Sequence, residues 1–370
     1  MESVRLIYIR ADGNEEIAAG HIMRCLTIAR ELKKMGHCIC FLVAGEESAA
    51  ILSENETDII PVTLNSPYAG GTIGFFQLQT ADYRKLDAEI DEISELLQMH
   101  PGTVLVDSYF ITEKYLRHLQ SLTKVAYMDD IRAFDYPVDL LINYDCFTPS
   151  MKTECEKTIY SNASSCLLGA EYAPLRPQFM DAKITIDENV KDVLLTTGSS
   201  DPYHFALHFC EKIVKTKKPN SENSTVPITY HIVVGSLNSD YEALLTLASK
   251  YPNIQLHRGL TDLMPLMRTC DLAITTGGTT LYELCALGIP TASFTMADNQ
   301  LSNTQILNEL EIVPYVGDVR TNIDKVISGC QQFIAEYSSD FAKRKAVHTK
   351  MNSLISGDGA FKIANAILNL

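Results

Sequence analysis

Short apolar runs alternate with amphipathic stretches along most of the chain. Val4–Ile9 is a run of strand length, and His21–Met35 places Ile22, Leu26, Ala29 and Leu32 on one helical face before stopping at Gly36. Ile39–Val43 predicts a second strand, which completes a β-α-β unit with a long first loop. The same rhythm predicts strands at Asp58–Val62, Thr103–Val106, Lys124–Met128 and Asp139–Ile142, and helices at Tyr83–Met99 and Thr112–Leu122. Residues 147–165 are polar and carry no clear period, 169–177 reads as loop, and 178–189 reads as a linker. A second alternation follows. Strands are expected at Asp192–Leu195, Thr229–Val234, Ile254–His257, Asp271–Ile274 and Pro290–Phe294. Helices are expected at Tyr203–Val214, Tyr241–Lys250, Leu263–Arg268, Leu281–Leu287, Leu301–Leu310, Ile323–Tyr337, Phe341–Ile355 and Ala360–Leu368, and an exposed loop at 215–227. Strands alternating with helices form parallel sheets covered on both faces. The expected organisation is an α/β domain over 1–180, a second over 190–335, and C-terminal helices over 336–370 that pack back on the body. Ligands of such sheets lie beyond the carboxyl ends of the strands, so the expected site is a cleft between the two halves.

Composition narrows the partners. At 370 residues, two cores are the default. A formal charge of −15 argues against a nucleic-acid partner and against docking on an anionic membrane, but it leaves room for a small anion held by backbone N–H groups. No apolar run is long enough for membrane insertion, and Met1-Glu2-Ser3 leads into a strand-like run without a signal-peptide pattern. The ten cysteines show no Cys-x-x-Cys spacing; Cys25, Cys210, Cys270 and Cys285 read as reduced core residues, and Cys38 with Cys40 as one buried strand face. A cytoplasmic monomer or weak homo-oligomer is expected.

The candidate chemistry lies in loops after strands. Thr276-Gly277-Gly278-Thr279-Thr280-Leu281-Tyr282-Glu283 reads as strand, glycine turn and helix N-terminus, which suits a diphosphate, with Glu283 one turn on to reach a ribose; a plain turn with a threonine cap has the same pattern. His21 opens a helix, whose positive end favours the neutral imidazole, so it is a candidate general base or a capping histidine. Arg24, one turn along, binds an anion or pairs with a carboxylate. Gly198 and Ser199 offer further donors, and Asp201-Pro202 reads as a helix cap with proline at the first position. Asn299, Gln300 and Asn303 offer amides to sugar hydroxyls or caps. His204 and His208 lack a third ligand, Asp129-Asp130 reads as a solvated pair, and no metal or cofactor is expected.

Arg10-Ala11-Asp12, Gly20-His21-x-x-Arg24-Cys25, Gly198-x-x-Asp201-Pro202, Gly277–Glu283 and Ala297-Asp298-Asn299-Gln300, taken in order, resemble the PseG/SpsG family. Val106-Asp107-Ser108-Tyr109, Met128-Asp129-Asp130 and Tyr172–Arg176 fit as well, and the resemblance spans about residues 5–310. It implies a GT-B fold, with two Rossmann-like doubly wound domains and a cleft between them, related to MurG-type glycosyltransferases. It implies hydrolysis of a UDP-activated amino or deoxy sugar, of the kind used in pseudaminic acid biosynthesis. His21 would activate water, Asp12 and Tyr109 would shape the sugar site, and Gly20 would lie beside the base. Gly277, Gly278, Thr279 and Thr280 would hold the diphosphate, Glu283 the ribose, and the backbone near Leu260 the uracil. The chain departs from the family at Ile17-Ala18-Ala19-Gly20, where a second glycine is usual, and at Ser199, and it has insertions at 66–82 and 215–227. The competing expectations are a UDP-sugar-dependent glycosyltransferase of surface or spore-coat polysaccharide synthesis, and a nucleotide-sugar binding protein without turnover. The acidic chain has no obvious apolar or basic patch for an acceptor, which tilts the expectation toward hydrolysis.

Overall fold

The computed structural model describes residues 3–13, 19–59, 61–65, 83–180, 182–198, 201–216, 228–235, 238–260 and 262–370. It divides into two compact units, Met1–Pro177 with Gly357–Leu370, and Gln178–Ser356.

The first unit runs β1 (Leu6–Ala11), α1 (Gly20–Lys34), β2 (Cys38–Ala44), α2 (Gly45–Asn55), β3 (Val62–Leu64), a 3-10 turn (Tyr83–Glu89), α3 (Ile90–Met99), β4 (Thr103–Asp107), α4 (Glu113–Leu122), β5 (Val125–Met128), β6 (Leu140–Asn143), α5 (Pro149–Lys157) and β7 (Cys166–Leu168). Its strands pair in parallel in the order β3-β2-β1-β4-β5-β6-β7. Alternate strand residues face opposite ways, so β1 feeds two cores. Ile7 and Ile9 pack with Ile22, Leu26, Ala29 and Leu32 of α1, whereas Tyr8 packs with Ile93 of α3 and Leu116 of α4.

The second unit runs β8 (Asp192–Thr196), α6 (Phe205–Thr216), β9 (Thr229–Val234), α7 (Tyr241–Lys250), β10 (Ile254–Arg258), α8 (Met264–Met267), β11 (Leu272–Thr276), α9 (Thr279–Leu287), β12 (Thr291–Thr295), a 3-10 turn (Asp298–Gln300), α10 (Leu301–Glu309), β13 (Tyr315–Asp318), α11 (Val319–Ser339, kinked at Asn322) and α12 (Phe341–Leu354). The sheet is again parallel, in the order β10-β9-β8-β11-β12-β13. Gly288 ends α9 in the left-handed region (φ +73), where a Cβ would come 2.6 Å from His348 Nδ1, so glycine serves both the turn and the packing. The final helix, α13 (Gly359–Leu368), belongs to the first unit: Ile363 and Ile367 join the core beside α1, and at Gly359 a Cβ would lie 2.2 Å from the Ala173 carbonyl oxygen.

Several expected elements are corrected. The strand expected at Asp58–Val62 forms later, at Val62–Leu64, after the unexpected α2, which buries only Ser48 and Leu52 and so carries a weak apolar period. The stretch left without an element holds α5, which buries none of its residues and is defined by its Thr148 cap and Pro149. Pro202 does not open a helix. Asp201 accepts from the N–H groups of Phe205 and Ala206, His204 takes a left-handed φ of +56°, and α6 begins at Phe205. Cys38 is exposed at the start of β2 rather than buried, and none of the ten cysteines forms a disulfide.

Candidate active site

Each sheet reverses its strand order once, β1 to β4 in the first unit and β8 to β11 in the second. Such switch points open a crevice at the carboxyl ends of the strands. The sequence candidates fall largely on these two places.

In the first unit, α1 starts at Gly20 after the β1 loop, and β4 ends at Asp107. This brings His21 Nδ1 to 2.6 Å from Asp107 Oδ1 across 86 residues of sequence. With a proton on Nδ1 donated to the carboxylate, the Nε2 lone pair is left as an acceptor; Arg24 Nη2 also lies 3.1 Å from Nδ1. Both partners are buried. Asp107 also accepts from Arg24 Nε at 2.6 Å, from its Nη2, and from Cys25 Sγ at 3.3 Å. Burial alone would raise the carboxyl pKa, but the Arg24 guanidinium and His21 outweigh it and hold the group well below the usual carboxylate range. Arg24 Nη1 donates to Asp130 Oδ2 at 3.0 Å and to the Tyr144 hydroxyl at 2.7 Å. Arg24 is thus a counter-ion for the protein's own carboxylates, the second of the two roles expected for it.

Tyr109 packs edge-on to the His21 ring, with centroids 4.4 Å apart, and donates to Asp130 Oδ2 at 3.1 Å. Burial keeps its phenol pKa well above the ordinary value, so the hydroxyl stays protonated while the ring packs against the imidazole. Asp12 is buried and faces partners within the protein. Its Oδ1 accepts from Ala44 N–H at 2.9 Å, and its Oδ2 lies 2.6 Å from Arg10 Nη1. Arg10 in turn forms a two-pronged pair with buried Glu89 at 2.6 and 2.9 Å. Asp12 therefore locks the end of β1 to β2. The expected solvated pair is also corrected: Asp129 is buried, accepting from Tyr136, Tyr160 and the N–H groups of Ile131 and Arg132, while Asp130 serves Arg24 and Tyr109. Asp107 is the partner of His21 that no local motif announces. Its signal was an aspartate ending an apolar strand run on the crevice side.

In the second unit, the β8 and β11 loops lie side by side. Gly198 has φ +90 and open space where a Cβ would stand. At Gly277 a Cβ would meet Thr304 Cγ2 at 2.7 Å and the Gln300 carbonyl oxygen at 3.0 Å, so this glycine is required for packing against α10. Gly278, the cap residue of α9, has only Thr276 Oγ1 at 3.8 Å from its Cβ position, so its backbone is open to approach. No side chain caps α9, contrary to the plain threonine-cap reading, and Thr279 is exposed. Glu283 and Asn303 are buried within α9 and α10, and Gln300 Oε1 accepts from Met296 N–H at 2.9 Å. Leu260 is exposed after Gly259 (φ +70). Ser199 and the side chain of Asn299 lie outside the described residues. Among the described residues no cluster of three or more His, Cys, Asp or Glu is arranged to hold a metal, and His204 Nδ1 instead pairs with Asp240 at 2.8 Å. No helix among them is long and apolar enough to cross a membrane.

The whole chain superposes on MurG of Acinetobacter baumannii with a TM-score of 0.71 at 12% identity, covering 100% of both chains. The fold is GT-B. UGT89C1 of Arabidopsis thaliana, solved with UDP, gives a TM-score of 0.64 at 12% identity over 99% of this chain and 100% of that one. The rhamnosyltransferase SpnG, solved with thymidine diphosphate, gives 0.63 at 14% over 98% and 100%. In sequence, the chain is 21% identical to the spore coat polysaccharide biosynthesis protein SpsG of Bacillus subtilis over 98% of its length and 97% of that protein. It is 23% identical to the uncharacterized protein MJ1062 of Methanocaldococcus jannaschii over 77% of its length, and the match spans 54% of that longer relative. No family model matches the chain.

Proposed function

We propose that this GT-B protein displaces UDP from the anomeric carbon of a UDP-sugar, with His21 as general base, and transfers the sugar to an acceptor hydroxyl. The observation that carries the reading is the His21–Asp107 pair at the β1/β4 switch point. The acceptor O–H would give its proton to Nε2 as its oxygen bonds to the anomeric carbon. The carbon–oxygen bond to the diphosphate would break, and the electron pair would leave on UDP. Asp107 would stabilise the imidazolium that forms. The N–H groups of Gly278, Thr279 and Thr280 and the positive end of α9 would receive the diphosphate charge, with Gly198 beside them. Transfer is placed first because the structural neighbours include a rhamnosyltransferase and the full-length relative SpsG is named for polysaccharide biosynthesis.

A second reading, with water in place of the acceptor, yields UDP and free sugar. It is supported by the motif set around His21, Gly198, Gly277 and Ala297, which resembles the PseG/SpsG hydrolases. UDP release from a panel of UDP-amino and UDP-deoxy sugars, with chelator and with or without added alcohols, separates the two. Release that needs an alcohol supports transfer. Equally fast release in its absence supports hydrolysis, and UDP binding without release under any condition sinks both.

Glu283 sits one turn into α9, where its carboxylate would take the ribose hydroxyls. Glu283→Ala is expected to weaken UDP binding by about tenfold, the effect of losing a charge-assisted hydrogen bond. Titration calorimetry with UDP checks this, and an unchanged affinity would move the nucleoside away from α9.

A further inference from the structure

The loops that follow β4 and β5 enclose a hollow of about 300 Å³ in the first unit, at the lower end of small-ligand sites. Its wall is formed by Tyr109, Ile111, Tyr127, Ile131, Phe134 and Tyr136. The buried polar side chains along it are already engaged, and Glu113 is exposed to solvent. Tyr127 donates to the Ser108 carbonyl at 3.1 Å, and Tyr136 donates to Asp129 at 2.9 Å while accepting from Ala133 N–H. Thr112 Oγ1 donates to Asp87 and accepts from Tyr115 N–H, Glu113 accepts from Arg117, and Tyr109 donates to Asp130. The hollow therefore offers ring faces and aliphatic carbon. A polar guest would surrender hydration without replacement, whereas an apolar one gains.

The wall is also held in place. Arg132 adopts a left-handed φ of +51°, uncommon for a long side chain. It is kept there by its own N–H and that of Ile131 bonding to Asp129 Oδ1, both at 3.0 Å, and by its guanidinium bonding to Asp145 at 3.1 Å. The Phe134 and Tyr136 rings are 4.3 Å apart, and Tyr136 and Tyr127 are 4.6 Å apart, a packed aromatic floor. Tyr109 is common to this hollow and to the candidate base, since the same ring meets His21 edge-on. A group seated against Tyr109 in the hollow would lie one ring away from His21.

We propose that this hollow seats an apolar group, about the size of a phenyl or cyclohexyl ring, on the acceptor whose hydroxyl His21 deprotonates. The inference rests on the transfer reading above and names its acceptor class.

The test uses the full chain with ¹³C-labelled isoleucine methyls, titrated with benzyl alcohol and, as a polar control, with glycerol. Saturable shifts at Ile111 and Ile131 with benzyl alcohol alone are expected. Phe134→Ser should weaken them by about tenfold through lost apolar contact. Ala133→Phe, at an exposed position on the rim, should abolish them by filling the space, and it keeps the test open if the first variant fails to fold. No saturable shift, or equal shifts with glycerol, overturns the apolar seat. In parallel, UDP release from the UDP-sugar chosen by the panel should be faster with benzyl alcohol than with methanol. Saturable binding without faster release overturns the acceptor assignment. Absence of UDP release under any condition sinks the transfer reading and that assignment together, while the methyl shifts report the seat separately.

Discussion

His21→Ala is expected to lower turnover of the UDP-sugar by about 10²–10⁴-fold while leaving UDP affinity within about twofold, the range for loss of a positioned general base. The asymmetry follows from placement. His21 lies in the first turn of α1 in the first unit, with its Nδ1 committed to Asp107, and the loops expected to hold the nucleotide belong to the second unit. Truncation removes the proton acceptor without touching Gly198, Gly278 or α9. Single-turnover UDP release and calorimetric UDP titration together make the measurement. Wild-type turnover in the variant would end the base assignment, and a parallel loss of UDP affinity would instead mean that the first unit contributes to nucleotide binding.

Asp107→Asn is expected to cost activity and stability together. An asparagine oriented to satisfy Arg24 points its amide N–H groups toward the imidazole, which favours the tautomer with Nε2 protonated and so removes the base. A fall of about 10²-fold or more in kcat is expected, with little change in UDP affinity. The substitution also strips a buried cation of its main counter-charge, typically a loss of about 3–5 kcal/mol, and Arg24 keeps Asp130 at 3.0 Å, so the lower figure applies. The pH dependence has a definite sign. Asp107 titrates lower folded than unfolded, so its contribution is present above the unfolded carboxylate value of about 4 and fades as pH falls toward the folded one. The gap in Tm between wild type and variant should therefore narrow from pH 7 to pH 3. A gap of constant width would mean that the loss comes from packing rather than charge.

The sequence carried the α/β alternation because most core strands are continuous apolar runs between helices with a strong stripe. It lost α2, α5, β7 and β13 for one reason. These elements bury few side chains or none fully, as in α5 and the half-buried Tyr315–Asp318, so tertiary contact does not write a period into them. At the candidate site, His21, Gly198, Gly277 and Gly278 were readable, since a glycine turn or a helix start leaves a local mark. The pairing of His21 with Asp107, the diversion of Arg24 and Asp12 to internal carboxylate and guanidinium partners, and the aromatic hollow beside Tyr109 were not. Each depends on which strand ends become neighbours, a property of strand order rather than of any stretch of sequence.

The return of α13 to the first unit also has a bearing on synthesis. A nascent chain that has emerged through residue 177 already holds every strand of the first sheet, yet lacks the helix whose Ile363 and Ile367 complete the core beside α1. The second unit leaves the ribosome whole before that helix does. Of the two units, the one that carries the candidate base is therefore begun before the other and completed after it, and a ribosome stalled or a chain clipped near residue 356 would yield an intact second unit joined to a first unit with one open face.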